Sequence, residues 1–245
     1  MGTSRRLEVP TPAPANGTRC PSPASRSRCS ASSTARWACC WRRASEPHKG
    51  RWALPGGVLR IDGDPSLDAA AQRVAQERLQ THIPAMTQVC AVGGPHRDPD
   101  RADWALSVAY RALVRPAEFR PAAGKRIEAL EWRPVEQAMD DRRMAFDHAD
   151  LVARAVAITR AEVRDMALPA SLFPPTFTLG ELQAMCQAVL GPEAKLDKSS
   201  FRRRLTDRHG NRDLELVEPV EGEVRTGPNR PAQVYRLRTG RPASG

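Results

Sequence analysis

Apolar positions recur most regularly in the last third of the chain, residues 169–240. Thr178 is placed to cap a helix, and the apolar residues that follow repeat at helical spacing until Gly191 and Pro192 end it. In a second helix, Phe201 and Leu205 are four residues apart and therefore face inward together. Strand-like runs at 214–217 and 234–237 follow. Two helices and then two strands predict a winged helix-turn-helix domain, which usually lays its second helix in a DNA groove.

Residues 43–146 carry a mixed pattern. A short apolar run ends in Pro55-Gly56-Gly57, and a helix capped by Ser66 follows to about Gln80. The apolar face predicted for this helix is Leu67, Ala70, Ala71, Val74 and Leu79. Strand-like runs occupy 88–92, 104–114 and 129–133, the second of them typical of a long central strand, and a short helix is predicted at 135–139. We therefore predict a mixed α/β/α sandwich here, and an α+β protein overall.

A helical pattern from Asp147 to about Met166 lies in the segment 147–168, between the two domains. Its apolar residues form one stripe, with charged residues interleaved. Two interpretations are open. The helix is either a rigid connector that passes a ligand-induced shift onward, or a helix packed on its own domain.

Residues 1–42 form a tail in which Ser, Ala, Pro, Arg and Cys dominate. Such a composition buries too little apolar surface to offset its ordering entropy, and its best strand, at 36–42, is a poor one. Four interpretations are open: a disordered basic arm that grips phosphates, an organellar transit peptide, a mistranslated start, or a natural tail without function. The abrupt change to well-patterned sequence near Arg43 favours the mistranslated start.

The formal charge is +10, but its distribution weakens the inference that it marks nucleic-acid binding. The tail accounts for most of the excess, residues 46–167 are balanced, and the last domain has a small positive excess. The DNA argument therefore rests on pattern. The predicted DNA-binding residues lie on the exposed side of the second helix and in the wing: Lys198, Arg202, Arg203, Arg204, Arg225 and Arg230.

The composition also limits where the protein is expected to be located and which kinds of site it is expected to contain. No apolar run approaches the roughly 18 residues of a membrane-spanning helix, so no membrane partner is expected. The six cysteines and five histidines show neither a disulfide framework nor metal-ligand spacing. We expect a cytoplasmic protein with reduced thiols and no metal site.

The predicted helix over 66–80 follows the Pro-Gly-Gly turn and looks like a Nudix box. In active members, carboxylates at i, i+3 and i+4 share one helix face and bind Mg²⁺ at a diphosphate. Here those places hold Val74, Glu77 and Arg78, and the upstream box Glu falls at Pro65. A cation beside the site opposes metal binding, so no cofactor is expected and Mg²⁺ is disfavoured. We predict no catalytic residues, with hydrolysis lost and a nucleotide-sized cleft kept.

Together these pieces resemble the NrtR family, bacterial repressors of NAD-metabolism genes that join a Nudix-like domain to a winged helix. The resemblance covers about residues 43–238. The matching segments are 50–57, 97–99, 108–114, 146–150, 177–179, 197–198, 201–203 and 227–235.

The resemblance implies a homodimer on a palindromic double-stranded DNA operator, released when ADP-ribose or a related NAD metabolite fills the Nudix cleft. The effector-binding residues that it implies are Arg51, Trp52, Gly56, Gly57 and Arg73, to which we add Glu77 as the box carboxylate that remains. The chain departs from the family in a missing first strand and in the eroded box. Two alternatives stay open. One is an active Nudix hydrolase of ADP-ribose or another nucleoside diphosphate derivative, and the other is a nonfunctional product of a damaged gene.

Overall fold

The computed structural model describes residues 50–95, 97, 104–115, 118–206, 216–226 and 230–238, together with the backbone of 38–43. The predictions for residues 1–37, and for 214 and 215, lie outside these ranges. No helix within them is both long and apolar enough to cross a bilayer.

Two small sheets build the N-terminal domain. In the first, β1 (Ala38–Arg43) lies between β2 (Trp52–Ala53) and β5 (Leu130–Pro134) and is antiparallel to both. In the second, β3 (Thr87–Gly94) pairs with β4 (Ala105–Arg111). The prediction of a long central strand over 104–114 is wrong, because among the described strands β4 pairs with β3 alone and ends at Arg111.

The first strand, expected to be missing, is present. β1 begins at Ala38, inside the segment assigned to the tail, and continues to Arg43. Its backbone is paired on both edges, by β2 and by β5, so hydrogen bonding across the sheet forms a strand that the composition of this segment did not favour.

Helix α1 (Leu67–Leu79) carries the residues of the Nudix box. The Oγ of Ser66 accepts a hydrogen bond from the amide of Ala69 at 3.0 Å, which confirms Ser66 as the N-cap. Ala75 and Leu79 are buried, whereas Leu67 is 45% exposed, so its predicted place on the apolar face is wrong. In an alanine-rich helix, the sequence pattern defines the buried face only loosely.

The segment 122–125 docks on the last turn of α1. The amides of Ala122, Gly124 and Lys125 donate to the carbonyl oxygens of Leu79, Arg78 and Glu77 at 2.9, 2.9 and 2.8 Å. These bonds satisfy carbonyl groups that have no partner within the helix itself. The close approach of the segment 122–125 to α1 requires a residue without a side chain at position 124. A Cβ on Gly124 would lie 2.3 Å from the carbonyl oxygen of Glu77.

Helix α3 (His148–Arg164) contributes to two hydrophobic cores. Val152 and Val156 pack against α2 (Val135–Asp140) in the N-terminal domain. Val163, near the other end, and Met166 just beyond it belong to the core of the C-terminal domain. The stripe therefore packs on its own domain, as the second interpretation expects, and also on the next domain. The transmission of a ligand-induced shift stays a prediction.

The C-terminal domain is the predicted winged helix. Its elements after a 3₁₀ turn at Ala170–Leu172 are β6 (Phe177–Thr178), α4 (Leu179–Leu190), α5 (Lys198–Thr206), β7 (Val217–Arg225) and β8 (Ala232–Leu237), with sheet order β6-β8-β7. Thr178 and Glu181 form the predicted capping box. Phe201 and Leu205 are 3% and 0% exposed, so the predicted inward face of α5 is confirmed.

The turn between α4 and α5 is fixed by one amide side chain. The Nε2 of Gln187 donates to the carbonyl oxygen of Gly191 at 2.8 Å, and its Oε1 accepts from the amide of Leu196 at 3.2 Å. The other end of α4 is capped by Thr178, so α4 has a defined start and end. This defines the position from which α5 presents its outer face.

Candidate functional site

The outer face of α5 is basic. Lys198, Arg202 and Arg203 are exposed, and the buried Phe201 and Leu205 fix the register that turns them outward. Guanidinium groups in this position are suited to phosphate oxygens and to guanine edges in a major groove. The structure thus brings three of the predicted DNA-binding residues together on one surface.

Arg204 is exposed as well, but its guanidinium has a partner in the protein. Its Nη2 donates to the carbonyl oxygen of Arg164, at the end of α3, at 2.7 Å. This bond directs the guanidinium towards the end of α3, and the DNA-binding role of Arg204 stays a prediction. The sequence places Arg204 one position past Arg203 but does not reveal that a helix end lies within its reach.

The wing differs from the sequence prediction. The first wing strand was predicted to end at residue 217, but β7 continues from Val217 through the acidic segment 218–223 to Arg225. Arg225 and Arg230 lie at the two ends of the wing tip, of which residues 227–229 are outside the described chain. Arg225 is 45% exposed and its Nη1 donates to Glu181 of the capping box at 2.5 Å. The Glu181 carboxylate therefore competes with phosphate for this guanidinium.

A cleft of about 570 Å³ opens beside the start of β2. It is lined by Gly50, Arg51 and Trp52, and by Arg133, Asp141, Arg142 and Arg143 from the far side. The guanidinium of Arg133 stacks over the Trp52 ring, 4.6 Å from its centroid. An aromatic face among several cations suits the base and the phosphates of a nucleotide. Two of the predicted effector-binding residues, Arg51 and Trp52, therefore lie in a cleft of fitting chemistry.

The Pro-Gly-Gly turn comes close to α1. A Cβ on Gly57 would lie 2.7 Å from the Cγ2 of Val74, so this glycine permits the close packing of the turn on the helix. Gly56 is exposed and open, and its carbonyl oxygen accepts a hydrogen bond from the Nε of Arg78 at 3.0 Å. The side chains at two of the three box positions, Val74 and Arg78, thus hold the turn in place.

Arg73 and Glu77 are engaged in ion pairs. Arg73 binds Asp64 through two hydrogen bonds of 2.7 Å, and the side chain of Asp64 is only 2% exposed. The hydrogen bonds from Arg73 hold the pKa of Asp64 at about 2, below its ordinary 3.8. Burial opposes ionisation of Glu77, but the nearby guanidinium of Arg60, 2.8 Å away, outweighs it, and the pKa of Glu77 lies below its usual value. In this arrangement Arg73 and Glu77 shape the loop before α1.

Three further arginines connect the N-terminal domain to α3 and the winged helix. Arg97 binds the carboxylate of Asp147, the residue before α3, at 2.5 and 3.1 Å. Arg111 on β4 donates to the Oγ1 of Thr159 at 2.6 Å and pairs with Glu162. Arg115 donates to the carbonyl oxygen of Phe173 at 2.6 Å. In the sequence, these arginines are distinguished only by their position in or beside a strand. Their role in connecting the domains was therefore not predicted.

Two models of known domain families match the chain. Residues 36–155 match the model of the NUDIX domain, and residues 169–237 match that of the NrtR DNA-binding winged helix domain. A protein of Acinetobacter baylyi named "ADPR responsive transcriptional repressor NtrR" is 37% identical over 196 residues, which cover 80% of this chain and 73% of the relative. The chain belongs to the NrtR family. The resemblance seen in the sequence is thereby confirmed, as are the Nudix and winged helix folds.

Solved structures of the NrtR family agree with this assignment. Shewanella oneidensis NrtR has 27% identity and a TM-score of 0.62, over 82% of this chain and 87% of that one. The same protein complexed with a 27mer DNA has 26% identity and a TM-score of 0.61, over 82% of this chain and 86% of that one. The likeness spans the Nudix and winged helix domains of this NrtR-family protein.

Proposed function

We propose that this protein is a transcriptional repressor of NAD-metabolism genes. It binds operator DNA through its winged helix and releases the DNA when ADP-ribose or a related NAD metabolite fills the Nudix cleft. The exposed basic face of α5, built on the buried Phe201 and Leu205, carries the proposal. Support comes from the Acinetobacter relative, named for its response to ADPR, and from the Shewanella relative, solved with DNA.

The α5 face and the wing have different roles in this proposal. Lys198, Arg202 and Arg203 enter the groove, where they contact base edges and phosphates. Arg225 and Arg230 bind the backbone beside it, and Arg225 exchanges Glu181 for a phosphate when it does so.

A titration of the labelled upstream region of its own gene with the full-length protein tests the proposal. Fluorescence anisotropy should show specific binding that is weaker in the presence of ADP-ribose. Unrelated DNA of the same length is the control. Equal affinity for both fragments would reject the DNA-binding role. Specific binding that does not change with ADP-ribose, NAD or related nucleotides would reject the effector.

The Nudix domain acts in this proposal as a sensor and not as an enzyme. Arg51 and Trp52 contact the ligand, and Gly56 lets it approach the backbone. Gly57, which packs on Val74, shapes the turn beside it, and Arg73 with Glu77 holds the adjacent loop. The support is the identity of the box residues, since Val74 packs on Gly57 and Arg78 donates to backbone carbonyls. Incubation with ADP-ribose and Mg²⁺ should release no AMP. Hydrolysis that disappears in the Glu77→Gln variant would support the alternative, a Nudix hydrolase.

The proposal extends to the assembly. We assign a homodimer on a palindromic operator in the cytoplasm, because one α5 reads one groove segment and two copies read a symmetric site. Light scattering of the free protein should give twice the mass of 26.9 kDa. Cutting the operator to one half-site should reduce its affinity strongly. A monomer that binds one half-site as tightly as the full operator would contradict this assignment.

A further inference from the structure

The last turn of α1 and the loops around it form a basic cluster. We define the α1 basic cluster as the cations Arg60, Arg73, Arg78, Lys125 and Arg126 with the carboxylates Asp64 and Glu77. Cations exceed carboxylates by three in this set. An uncompensated positive charge at the end of a glycine turn is suited to an anion.

A Mg²⁺ ion, which the Nudix fold implies, does not fit these residues. Of the three box positions on α1, one is the apolar Val74 and one is the cation Arg78. The third, Glu77, lies 2.8 Å from Arg60 and 3.6 Å from Arg73. Asp64 has both carboxylate oxygens bonded to Arg73. The carboxylates near this site are therefore already neutralised by arginines, and a metal ion would have to displace them.

The guanidinium of Arg78 is held in one orientation by two hydrogen bonds and has further N–H donors that these bonds do not use. Its Nε donates to the carbonyl oxygen of Gly56 at 3.0 Å and its Nη1 to that of Lys125 at 2.6 Å. Two carbonyl groups from different segments thus fix the plane of the guanidinium. These bonds use two of the five N–H groups of an arginine and leave the Nη2 edge available. In the described part of the chain, no carboxylate lies within 4.0 Å of Arg78, so its charge is not paired.

The surroundings of Arg78 also favour an anionic partner for its guanidinium. Partial burial, followed by the charges of Arg126 and other nearby arginines, shifts the pKa of Arg78 below its ordinary value. The guanidinium is therefore held among like charges, a placement that an anionic ligand would relieve. Two parallel N–H groups match the two oxygens of a phosphate, which makes arginine the residue of choice for this recognition.

We propose that Arg78 takes the place of the metal ion and binds the diphosphate group of the nucleotide effector directly. This inference rests on the proposed function, because it assumes that a nucleoside diphosphate derivative enters the Nudix cleft. It predicts that effector binding needs no divalent cation. The other cations of the α1 basic cluster add a longer-range attraction to the same group.

Isothermal titration of the full-length protein with ADP-ribose tests the inference, once in excess EDTA and once with Mg²⁺. The wild-type affinity should agree between the two conditions within about twofold. Arg78→Met should weaken binding roughly 10- to 100-fold, as expected for the loss of a charge-assisted hydrogen-bond pair. Arg154→Met, which removes one exposed charge from α3, is the matched control and should bind like the wild type.

A second variant separates charge from folding, because Arg78 also connects two backbone segments. Arg126 is exposed, and Arg78 contacts the carbonyl groups of Gly56 and Lys125, so Arg126→Met keeps the Arg78 contacts while it removes a neighbouring charge. It should weaken ADP-ribose binding roughly two- to fivefold, with a smaller effect at high salt. Thermal melting of each variant identifies any loss of fold.

The outcomes distinguish the two proposals. ADP-ribose binding that requires Mg²⁺, or a folded Arg78→Met variant with wild-type affinity, would overturn the role of Arg78 and leave the effector assignment intact. No binding of ADP-ribose by the wild type in either condition would overturn the effector assignment, and the role of Arg78 with it.

Discussion

The contact of Gly124 with α1 allows a test of how the Nudix box is supported. In the Gly124→Ala variant, the new Cβ would lie 2.3 Å from the carbonyl oxygen of Glu77 and 3.1 Å from that of Arg78. Both atoms belong to the helix backbone, so no side-chain rotation relieves the overlap. The segment 122–125 must move outward by about 1 Å to restore van der Waals distances.

The cost follows from the hydrogen bonds that this movement weakens. Three amide donors of the segment bond to α1 at 2.8–2.9 Å, and each bond contributes about 0.5–1.5 kcal/mol. We expect Gly124→Ala to lower the free energy of unfolding by about 2–4 kcal/mol, or the melting temperature by roughly 5–15 °C. The same shift moves the carbonyl of Lys125 away from Arg78, so ADP-ribose binding should weaken as well.

Gly56→Ala is the matched control. At Gly56 the nearest heavy atom to an added Cβ is 4.0 Å away, so the same substitution meets open space. Melting curves by circular dichroism should show Gly56→Ala within about 1 °C of the wild type, or slightly above it because alanine restricts the unfolded chain. Equal melting temperatures for the two variants would refute the reasoning about the loop contact.

Three more predictions concern DNA binding, acid stability and capping. Arg202→Ala should weaken operator binding by about 1–3 kcal/mol, whereas Arg204→Ala should change it little and lower the melting temperature; equal losses of DNA affinity would contradict the roles assigned to them. The pKa of Asp64 is lower in the folded chain, about 2 against 3.8, so its ion pair stabilises the protein above about pH 4. The difference in urea midpoint between the wild type and Asp64→Asn should therefore be full at neutral pH and vanish as the pH falls through 2; a difference independent of pH would be incompatible with this. Thr178→Ala should cost about 1 kcal/mol in urea unfolding, while Thr178→Ser keeps most of the cap, and equal stability of the two would argue against a capping role.

The sequence predicted the winged helix well because its signals are local. The capping box at Thr178, the glycine at 191 and the pair Phe201 and Leu205 each depend on neighbours within a few residues, and the structure confirms them. The sheets of the Nudix domain were harder to predict. β1 is formed by pairing with β5, about 90 residues further along the chain, and no local pattern records that partner.

The candidate sites were also hard to predict where their contacts join residues far apart in the sequence. Helical periodicity shows which α5 residues face outward, but the long side chain of Arg204 reaches a carbonyl group that lies 40 residues earlier. Likewise, the sequence shows that Arg78 replaces a carboxylate, but not that Gly56 and Lys125 hold its guanidinium. Long flexible side chains choose partners that only the folded chain brings near.

Helix α3 holds both helices of the DNA-reading unit. The Nε of Arg160 donates to the carbonyl oxygen of Val189 at the end of α4, and Arg164 accepts from Arg204 of α5. Because these bonds join α3 to α4 and to α5, we expect the two helices to move together with α3. With 17 residues, this helix is about 25 Å long, so a tilt of roughly 10° at its first turn displaces its far end by about 4 Å. That distance exceeds the rise of one base pair, about 3.4 Å, so a small swing at the Nudix end is enough to carry the arginines out of step with the duplex.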